Sequence, residues 1–297
     1  MPVPVGRRVD HVYTDFVTPD DGVVDDLVHR ALHAAAEHVP TRDWRRVEHG
    51  SANLVVLAGH AAVRVARTPT ATREALRAQA LVDALPPLPF DLPLSLAPAE
   101  HDSESGLIAI AQRRVHGVPH PSGSGDPRAL RKLLDALRSV SPVALRPHLA
   151  HRHAFFGGVE GLTVMADRAV PMLTLAAQNR ARQVVDTLAG LESDVAAPVL
   201  AHGDLAGSNV LWSEGRVRGV IDWDLAAECD EASDVAALAT WHGWDAVTSI
   251  VPPEVERRAR AVIDSYPLQL LCFAIVGARP QHEVERAVAR ADALYSA

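Results

Sequence analysis

The chain has 297 residues and a formal net charge of −8; 48% of its residues are hydrophobic and 22% are charged. This composition excludes a wholly disordered chain, and the acidic balance argues against a general nucleic-acid-binding protein, because such proteins neutralise phosphates with excess cations. One or two domains are expected at this length. We expect no membrane partner, because the longest nearly apolar run, residues 268–276, is too short to span a bilayer. Two cysteines cannot form a disulfide framework, so we expect a cytoplasmic protein.

Short strands separated by turns characterise the first part of the chain. The hydrophobic pattern predicts, in chain order, a helix at 23–38, strands near Val47 and at 54–58 and 61–67, a helix at 72–85, and a strand at 107–111. Pro86 and Pro87 end the second of these helices. This half is therefore predicted to be a small antiparallel sheet with an inserted helix.

Helical periodicity dominates the rest of the chain. Asp126 and Pro127 are a favourable N-cap and first-turn pair for a helix. The elements predicted after that helix are a helix at 178–191, a hairpin of strands at 210–212 and 217–222, and helices at 230–240 and 253–265, followed by a break at Tyr266-Pro267 and two further helices. The shift in composition near Arg114 predicts two units, residues 1–114 and 115–297.

One group of polar residues points to chemistry. Asp204 and Asn209 are five positions apart on a loop before a strand, and Asp222 ends the next strand of the predicted hairpin. A hairpin brings these two carboxylates and the carboxamide oxygen together. Oxygen ligands of this kind suit Mg²⁺, which takes the rest of its coordination shell from water and from substrate phosphates. Phosphoryl transfer needs such an ion and a free carboxylate that orients a hydroxyl.

These motifs resemble the aminoglycoside phosphotransferase family of small-molecule kinases. The likeness is carried by His202-Gly203-Asp204 with Asn209, by Ile221-Asp222-Trp223, by Asp230, and by Asp234-Val235-Ala236. Within the family, the chain is most similar to kinases of viomycin- and capreomycin-type cyclic peptides. It departs from the family pattern at Glu231, where proline is frequent, and at Val235, where leucine is frequent.

The resemblance implies an α+β, two-lobed protein-kinase-like fold, with a nucleotide-binding lobe at residues 1–114 and a helical catalytic and acceptor-binding lobe at residues 115–297. It implies Asp204 as the catalytic base and Asn209 and Asp222 as Mg²⁺ ligands. By the same likeness His202 braces the catalytic loop, and Asp234 is a buried structural carboxylate. The phosphate donor is expected to be ATP, with GTP left open.

The nucleotide side has weaker signals. A kinase needs a phosphate-covering loop, a basic residue on the next strand, and a carboxylate that holds it. Ser51 lies in the candidate loop, although the same residues also suit an ordinary hairpin turn. Arg64 is the candidate basic residue, and Glu74 is its candidate partner, although an acid in a first helical turn also has a simple helix-stabilising explanation. Backbone groups of Arg113 and Val115 are expected to bind the nucleotide base.

The acceptor is expected to be a small, cationic antibiotic, either an aminoglycoside or a cyclic peptide, so that phosphorylation confers resistance. Its candidate contacts are acidic and aromatic: Glu160, Glu228, Asp230, Glu231, Asp245, Phe155, Phe156, Trp241 and Trp244. A metabolite kinase of the same fold and a catalytically weak nucleotide-binding module remain as alternatives. His148, His151 and His153 are interpreted as a polar surface turn.

Overall fold

The computed structural model describes residues 17–47, 52–193 and 197–296. The strands are β1 (Arg45–Val47), β2 (Asn53–Ala58), β3 (Ala61–Ala66), β4 (Glu100–His101), β5 (Ile108–Arg113), β6 (Val118–Pro119), β7 (Val199–Ala201), β8 (Val210–Ser213), β9 (Arg216–Val220) and β10 (Ala227–Cys229). The α-helices are α1 (Asp21–Ala34), α2 (Pro69–Ala84), α3 (Pro127–Arg138), α4 (Gly161–Val164), α5 (Leu175–Ser193), α6 (Ala232–His242), α7 (Trp244–Val247), α8 (Pro253–Val276) and α9 (Gln281–Tyr295). The fold is α+β, as predicted.

The first part of the chain forms a five-stranded antiparallel sheet with the order β1-β2-β3-β5-β4. Alternation along β3 buries Val63 and Val65 in the core formed with α1, whereas Arg64 lies on the opposite face. In the register of the sheet, Arg64 pairs with Val55 on β2 and with Ile110 on β5. The sheet therefore holds the Arg64 side chain on the face turned away from α1.

The hairpin of β8 and β9 also follows from the sequence. Ser213 pairs with Arg216, so Glu214 and Gly215 are the two turn residues. Both have positive φ, 51° and 71°. Two-residue turns of this hand match the twist of the strands that they join, and glycine is favoured at the second position. The hairpin directs the end of β9 back toward the start of β8, where the predicted polar residues lie.

Helices build the remaining core. Asp126 caps α3 by accepting a hydrogen bond from the Arg128 N–H at 3.0 Å, and Pro127 occupies the first turn, as predicted. Helix α8 packs against α5, α6 and α9. It is the one helix in the described ranges that is long and apolar enough to cross a membrane by length and composition, and several of its residues are buried inside the fold.

The predicted break at Tyr266-Pro267 is wrong. Helix α8 continues through both residues, and Pro267 is buried inside it. Two residues earlier, the Ser265 hydroxyl donates to the Val262 carbonyl at 2.6 Å and accepts from Gln269 Nε2 at 2.8 Å. Packing of Leu268 and Leu271 in the core outweighs the backbone hydrogen bond that a proline removes.

Candidate active site

The loop between β7 and β8 carries the strongest motif, and its backbone geometry requires glycine at one position. Gly203 has φ of 80°, in the region that glycine adopts without strain. A Cβ atom at Gly203 would collide with the carbonyl group of Leu225. The end of the loop is tied to the hairpin, because the Ile221 N–H donates to the Asn209 carbonyl at 3.0 Å. The two polar stretches of the motif are therefore held side by side.

His202 joins these two stretches from within the core. Its side chain is fully buried and packs edge-on against Trp223, with the ring centroids 4.7 Å apart. Nε2 donates to the Ile221 carbonyl at 3.1 Å, and Nδ1 accepts from the Asp204 N–H at 3.2 Å. Burial lowers the pKa of His202 to about 4, so the ring is neutral at physiological pH. The neutral ring sets the positions of Asp204 and of the end of β9.

Asp234, on the first turn of α6, holds the same loop from the other side. Its two carboxylate oxygens accept from the backbone N–H groups of His202, at 2.8 Å, and of Gly203, at 2.9 Å. The side chain is buried, and burial raises its pKa to about 7. The carboxylate satisfies the buried N–H of His202 and the half-buried N–H of Gly203, which lie beyond the end of β7. The contacts that the resemblance implies for His202 and Asp234 are therefore present.

Asp204 and Asn209 lie against each other. Asn209 Nδ2 donates to Asp204 Oδ2 and to the Asp204 backbone carbonyl, each at 2.9 Å. These two bonds use the amide nitrogen, whereas Oδ1 accepts a long hydrogen bond of 3.4 Å from the Ser208 hydroxyl and can still offer a lone pair to a cation. Burial raises the pKa of Asp204, although the Asn209 hydrogen bond partly opposes this shift. A carboxylate that is buried and yet lines a cavity is suited to accept a proton.

Asp222 has an unusual backbone conformation at the end of β9, with φ of 64° and ψ of 65°. This left-handed geometry is uncommon for a residue with a side chain, although aspartate tolerates it better than most. The carboxylate is 52% exposed, and Oδ1 lies 3.8 Å from Arg64 Nη2. The space between β3 and the end of β9, where these two groups face each other, is called the cleft below. Loss of solvation in the cleft raises its pKa to about 6, and the nearby charges of Asp224 and Asp204 add to the rise. A bound cation would relieve this repulsion.

The donor set around Asp222 fits Mg²⁺. Asn209 offers a carboxamide oxygen and Asp222 offers a carboxylate. In the described ranges no cluster of three or more His, Cys, Asp or Glu side chains has the arrangement of a metal site. Mg²⁺ is commonly bound by one or two protein oxygens together with water and substrate phosphates, so two protein ligands are sufficient.

Arg64 reaches the same cleft, but its partner is not the predicted one. Its Nη2 atom lies 2.7 Å from Asp224 Oδ2 and 3.8 Å from Asp222 Oδ1. Glu74 instead pairs with Arg77 on its own helix, at 2.9 Å, and is 55% exposed. The predicted Arg64–Glu74 pair is therefore wrong: Asp224, two residues beyond Asp222, takes the position that the resemblance assigned to a helix carboxylate.

The other residues predicted to bind the nucleotide are Ser51, Arg113 and Val115. Ser51 lies outside the described residues. The Arg113 N–H donates to the Leu94 carbonyl at 2.7 Å, which removes this donor as a contact for a nucleotide base. Val115 follows β5, and its side chain lies directly over Gly219, where a Cβ atom would collide with it. A backbone contact from Val115 to the base stays a prediction.

Comparisons with known proteins agree with this geometry. A sequence model described as "Phosphotransferase enzyme family" matches residues 43–267 of the 297. The chain belongs to this family. The match covers both the sheet with Arg64 and the loop with Asp204. The resemblance to the aminoglycoside phosphotransferases is therefore confirmed.

Individual relatives share part of the sequence or the fold of this chain. The chain is 38% identical over 77 residues to the viomycin phosphotransferase of Streptomyces vinaceus. That segment is 25% of this chain and 26% of the relative, so the match spans about a quarter of either protein. The GDP complex of aminoglycoside 2′-phosphotransferase-IIIa superposes with a TM-score of 0.75 at 13% identity, covering 93% of this chain and 99% of that one. The apoenzyme of a macrolide 2′-phosphotransferase from Brachybacterium faecium gives 0.66 at 20% identity, with 91% and 97% covered. The two-lobed kinase-like fold is thus confirmed.

A cavity of about 530 Å³ opens beside Asp204 on the side of α5, α6 and α8. Much of its wall is apolar, and Phe155 stacks on Phe273 with centroids 4.8 Å apart. Of the predicted acceptor contacts, Phe155, Phe156 and Asp230 line this cavity. The other six do not; among them, Glu228 pairs with Arg146 and Glu231 pairs with Arg138. The acid-rich acceptor cleft expected from sequence is therefore not what surrounds Asp204.

The cavity also contains residues that sequence reasoning did not assign to the site. His151 is exposed, as a surface turn predicts, and it also lines the cavity. The surface-turn interpretation is wrong for His153, which is buried, with Nε2 2.6 Å from Glu192 Oε1. Asp230 is likewise paired, with Arg258. Asp204 is thus the cavity acid that has no basic partner among the described residues. No spacing in the sequence connects residues 151–156 to residues 188–192, so only the fold could show this wall.

Proposed function

We propose that this phosphotransferase transfers the γ-phosphoryl group of ATP, or of GTP, to a hydroxyl of a small-molecule antibiotic and so confers resistance. The observation that carries the proposal is the position of Asp204. Its carboxylate lines the acceptor cavity and is hydrogen-bonded to Asn209, while Asp222 and Arg64 lie in the adjoining cleft. One loop therefore joins a space for an acceptor to a set of groups suited to phosphates.

Each residue has a defined part in the proposed reaction. Asp204 accepts a hydrogen bond from the acceptor hydroxyl, orients it toward the γ-phosphorus, and takes its proton as the new P–O bond forms. The bond between the γ-phosphorus and the β–γ bridging oxygen breaks at the same time, and the nucleoside diphosphate leaves with that oxygen. Asn209 Oδ1 and Asp222 would hold Mg²⁺, which neutralises phosphate charge when bound. Arg64 donates hydrogen bonds to phosphate oxygens; arginine can do so with two nitrogens at once. Neutral His202 keeps Asp204 and the end of β9 in place.

The antibiotic acceptor is supported by the relatives, which are named as viomycin, aminoglycoside and macrolide phosphotransferases. A cationic acceptor, expected from sequence, would find Asp204 as the one carboxylate in the cavity that lacks a basic partner within the described residues. We propose that the acceptor lays an apolar face against Phe155 and turns its hydroxyl toward Asp204.

The test is a nucleotide-consumption screen followed by mass spectrometry of the acceptor. The panel contains aminoglycosides, macrolides, viomycin-type cyclic peptides and hydroxyl-bearing metabolites, each with ATP and with GTP. The proposal predicts an antibiotic that gains one phosphoryl group and a susceptible host that becomes resistant when it expresses the protein. Phosphorylation of a metabolite alone would replace it with a metabolite kinase, and nucleotide binding without any product would replace it with a binding module.

A further inference from the structure

The partner of Arg64 is the feature of the cleft that the family pattern does not account for. The Arg64 side chain is 11% exposed and that of Asp224 is 20% exposed, so the 2.7 Å contact between Nη2 and Oδ2 is largely shielded from water. A charge-assisted hydrogen bond in such a place fixes both partners more strongly than one at the surface. Arg64 therefore has a defined position before any ligand arrives.

Asp224 is itself held from two other elements. Asn53, a buried residue at the start of β2, donates from Nδ2 to Asp224 Oδ2 at 3.3 Å. Arg77 on α2 donates from Nη2 to the Asp224 backbone carbonyl at 2.7 Å and from Nη1 to the His148 carbonyl at 2.8 Å. Strands β2 and β3 and helix α2 thus all meet at this one residue.

The contact leaves most of the guanidinium group available. Arg64 donates to Asp224 Oδ2 from Nη2, and the same nitrogen lies 3.8 Å from Asp222 Oδ1. An arginine has five N–H donors in a planar fork, so Nη1 and Nε can still face an anion in the cleft. Asp224 also lies two residues after Asp222, so the same short segment that carries the proposed metal ligand fixes the cation.

We propose that Asp224 is the positioning residue that holds Arg64 for the nucleotide phosphates, in the place of a carboxylate from helix α2. The role depends on the proposed nucleotide site. Helix α2 contributes Arg77 rather than Glu74 to the arrangement, and it does so through backbone carbonyls. Helix α2, strand β3 and the segment that carries Asp222 are still connected at this point. The carboxylate comes from that segment, however, and the helix supplies a cation, Arg77.

A double-mutant cycle on nucleotide binding tests this assignment. The variants are Arg64→Gln, Asp224→Asn and the double variant, and the quantity measured is the Kd of ATP and of GTP by calorimetry, together with the KM values for nucleotide and acceptor. Asp224→Asn should weaken nucleotide binding by roughly tenfold and leave the acceptor KM unchanged, because the lost contact is a hydrogen bond between charged groups. The double variant should be no weaker than the weaker single variant, because Asp224 acts through Arg64.

Asp224→Glu and Glu74→Gln are the matched controls. Asp224→Glu keeps the charge and should bind nucleotide more tightly than Asp224→Asn, whereas Glu74→Gln should bind like the wild type. Should Asp224→Asn fail to fold, Asp224→Glu and Arg64→Gln are compared instead, and Asp224→Glu must bind nucleotide more tightly than Arg64→Gln.

Three outcomes would overturn the assignment: additive losses of binding free energy in the cycle, tighter nucleotide binding by Asp224→Asn, or a Glu74→Gln defect as large as that of Asp224→Asn. A wild-type protein that binds no nucleotide would instead contradict the proposed function.

Discussion

The catalytic loop and the phosphate side of the cleft differ in how far apart in sequence their contacting residues lie. The hydrogen bonds that shape the loop join residues that are close in sequence, such as Asn209 to Asp204 and His202 to Ile221, five and 19 positions apart. The contacts of Asp224 with Asn53, Arg64 and Arg77 span 171, 160 and 147 positions. Spacing in a sequence specifies local geometry, whereas the pairing of charges across lobes depends on the whole fold.

Replacement of Asp204 should have the largest effect on the loop side. Asp204→Asn keeps the shape of the side chain but removes the proton acceptor, so kcat should fall by about 10³-fold. The rate of nucleotide consumption with a confirmed acceptor measures this, and the thermal unfolding midpoint reports the fold. Asp186→Asn, on an exposed face of α5, is the control and should keep the wild-type rate. Wild-type turnover in Asp204→Asn would remove the assignment of the base.

His202 should give the loop a pH-dependent stability. Its pKa is about 4 in the folded protein and about 6.5 in an unfolded chain, so between these values the unfolded state binds more protons. The stability contributed by the neutral ring is therefore full above pH 6.5 and is lost as the pH falls through 4, an amount of about 3 kcal/mol.

The measurement is the free energy of unfolding of wild type and of His202→Gln, from denaturant titrations at several pH values. The difference between the two proteins should shrink as the pH falls from 6.5 to 4. The raised pKa values of Asp222 and Asp234 act with the opposite sign, but they act in both proteins and cancel in the difference. His33→Gln, which removes an exposed histidine, should show no such trend, and a constant difference for His202→Gln would contradict the buried neutral ring.

Loss of one metal ligand should give a smaller effect. Asn209→Ala removes a carboxamide oxygen from the proposed Mg²⁺ site, so the Mg²⁺ concentration for half-maximal rate should rise by roughly tenfold or more. Chelation should stop turnover of the wild type, and added Mg²⁺ should restore it. The exposed Asn179→Ala serves as the control. An unchanged Mg²⁺ requirement in Asn209→Ala would place the ion elsewhere.

Glu74→Gln should have the smallest effect, and it tests whether Glu74 has any part in the phosphate side of the cleft. Glu74 is 55% exposed, and its partner Arg77 is 19% exposed. A pair with one partner in solvent contributes about 0–1 kcal/mol, and Arg77 keeps its bonds to the Asp224 and His148 carbonyls, so kcat and nucleotide KM should stay within about threefold of wild type. Steady-state kinetics with varied nucleotide measure both values. A tenfold rise in nucleotide KM would restore Glu74 to the site that the sequence resemblance gave it.

Much of the fold and the centre of the site could be predicted from sequence. Alternation predicts that Arg64 lies on the face of β3 opposite Val63 and Val65, and the turn residues Glu214 and Gly215 indicate the hairpin that brings Asp222 to the loop. The continuation of α8 through Pro267 could not be predicted, because packing in the core decides it. Asp224 carried a signal, its spacing of two from Asp222, but only the fold shows that it contacts Arg64.

The most direct test of the central claim is a crystal structure with Mg²⁺ and a non-hydrolysable ATP analogue. We expect an ion about 2.0–2.1 Å from Asn209 Oδ1 and from an Asp222 oxygen, with phosphate and water oxygens completing its coordination shell. Asp204 should lie outside this shell and face the acceptor cavity. An ion held away from Asn209 and Asp222, or one that takes Asp204 as a ligand, would contradict the claim.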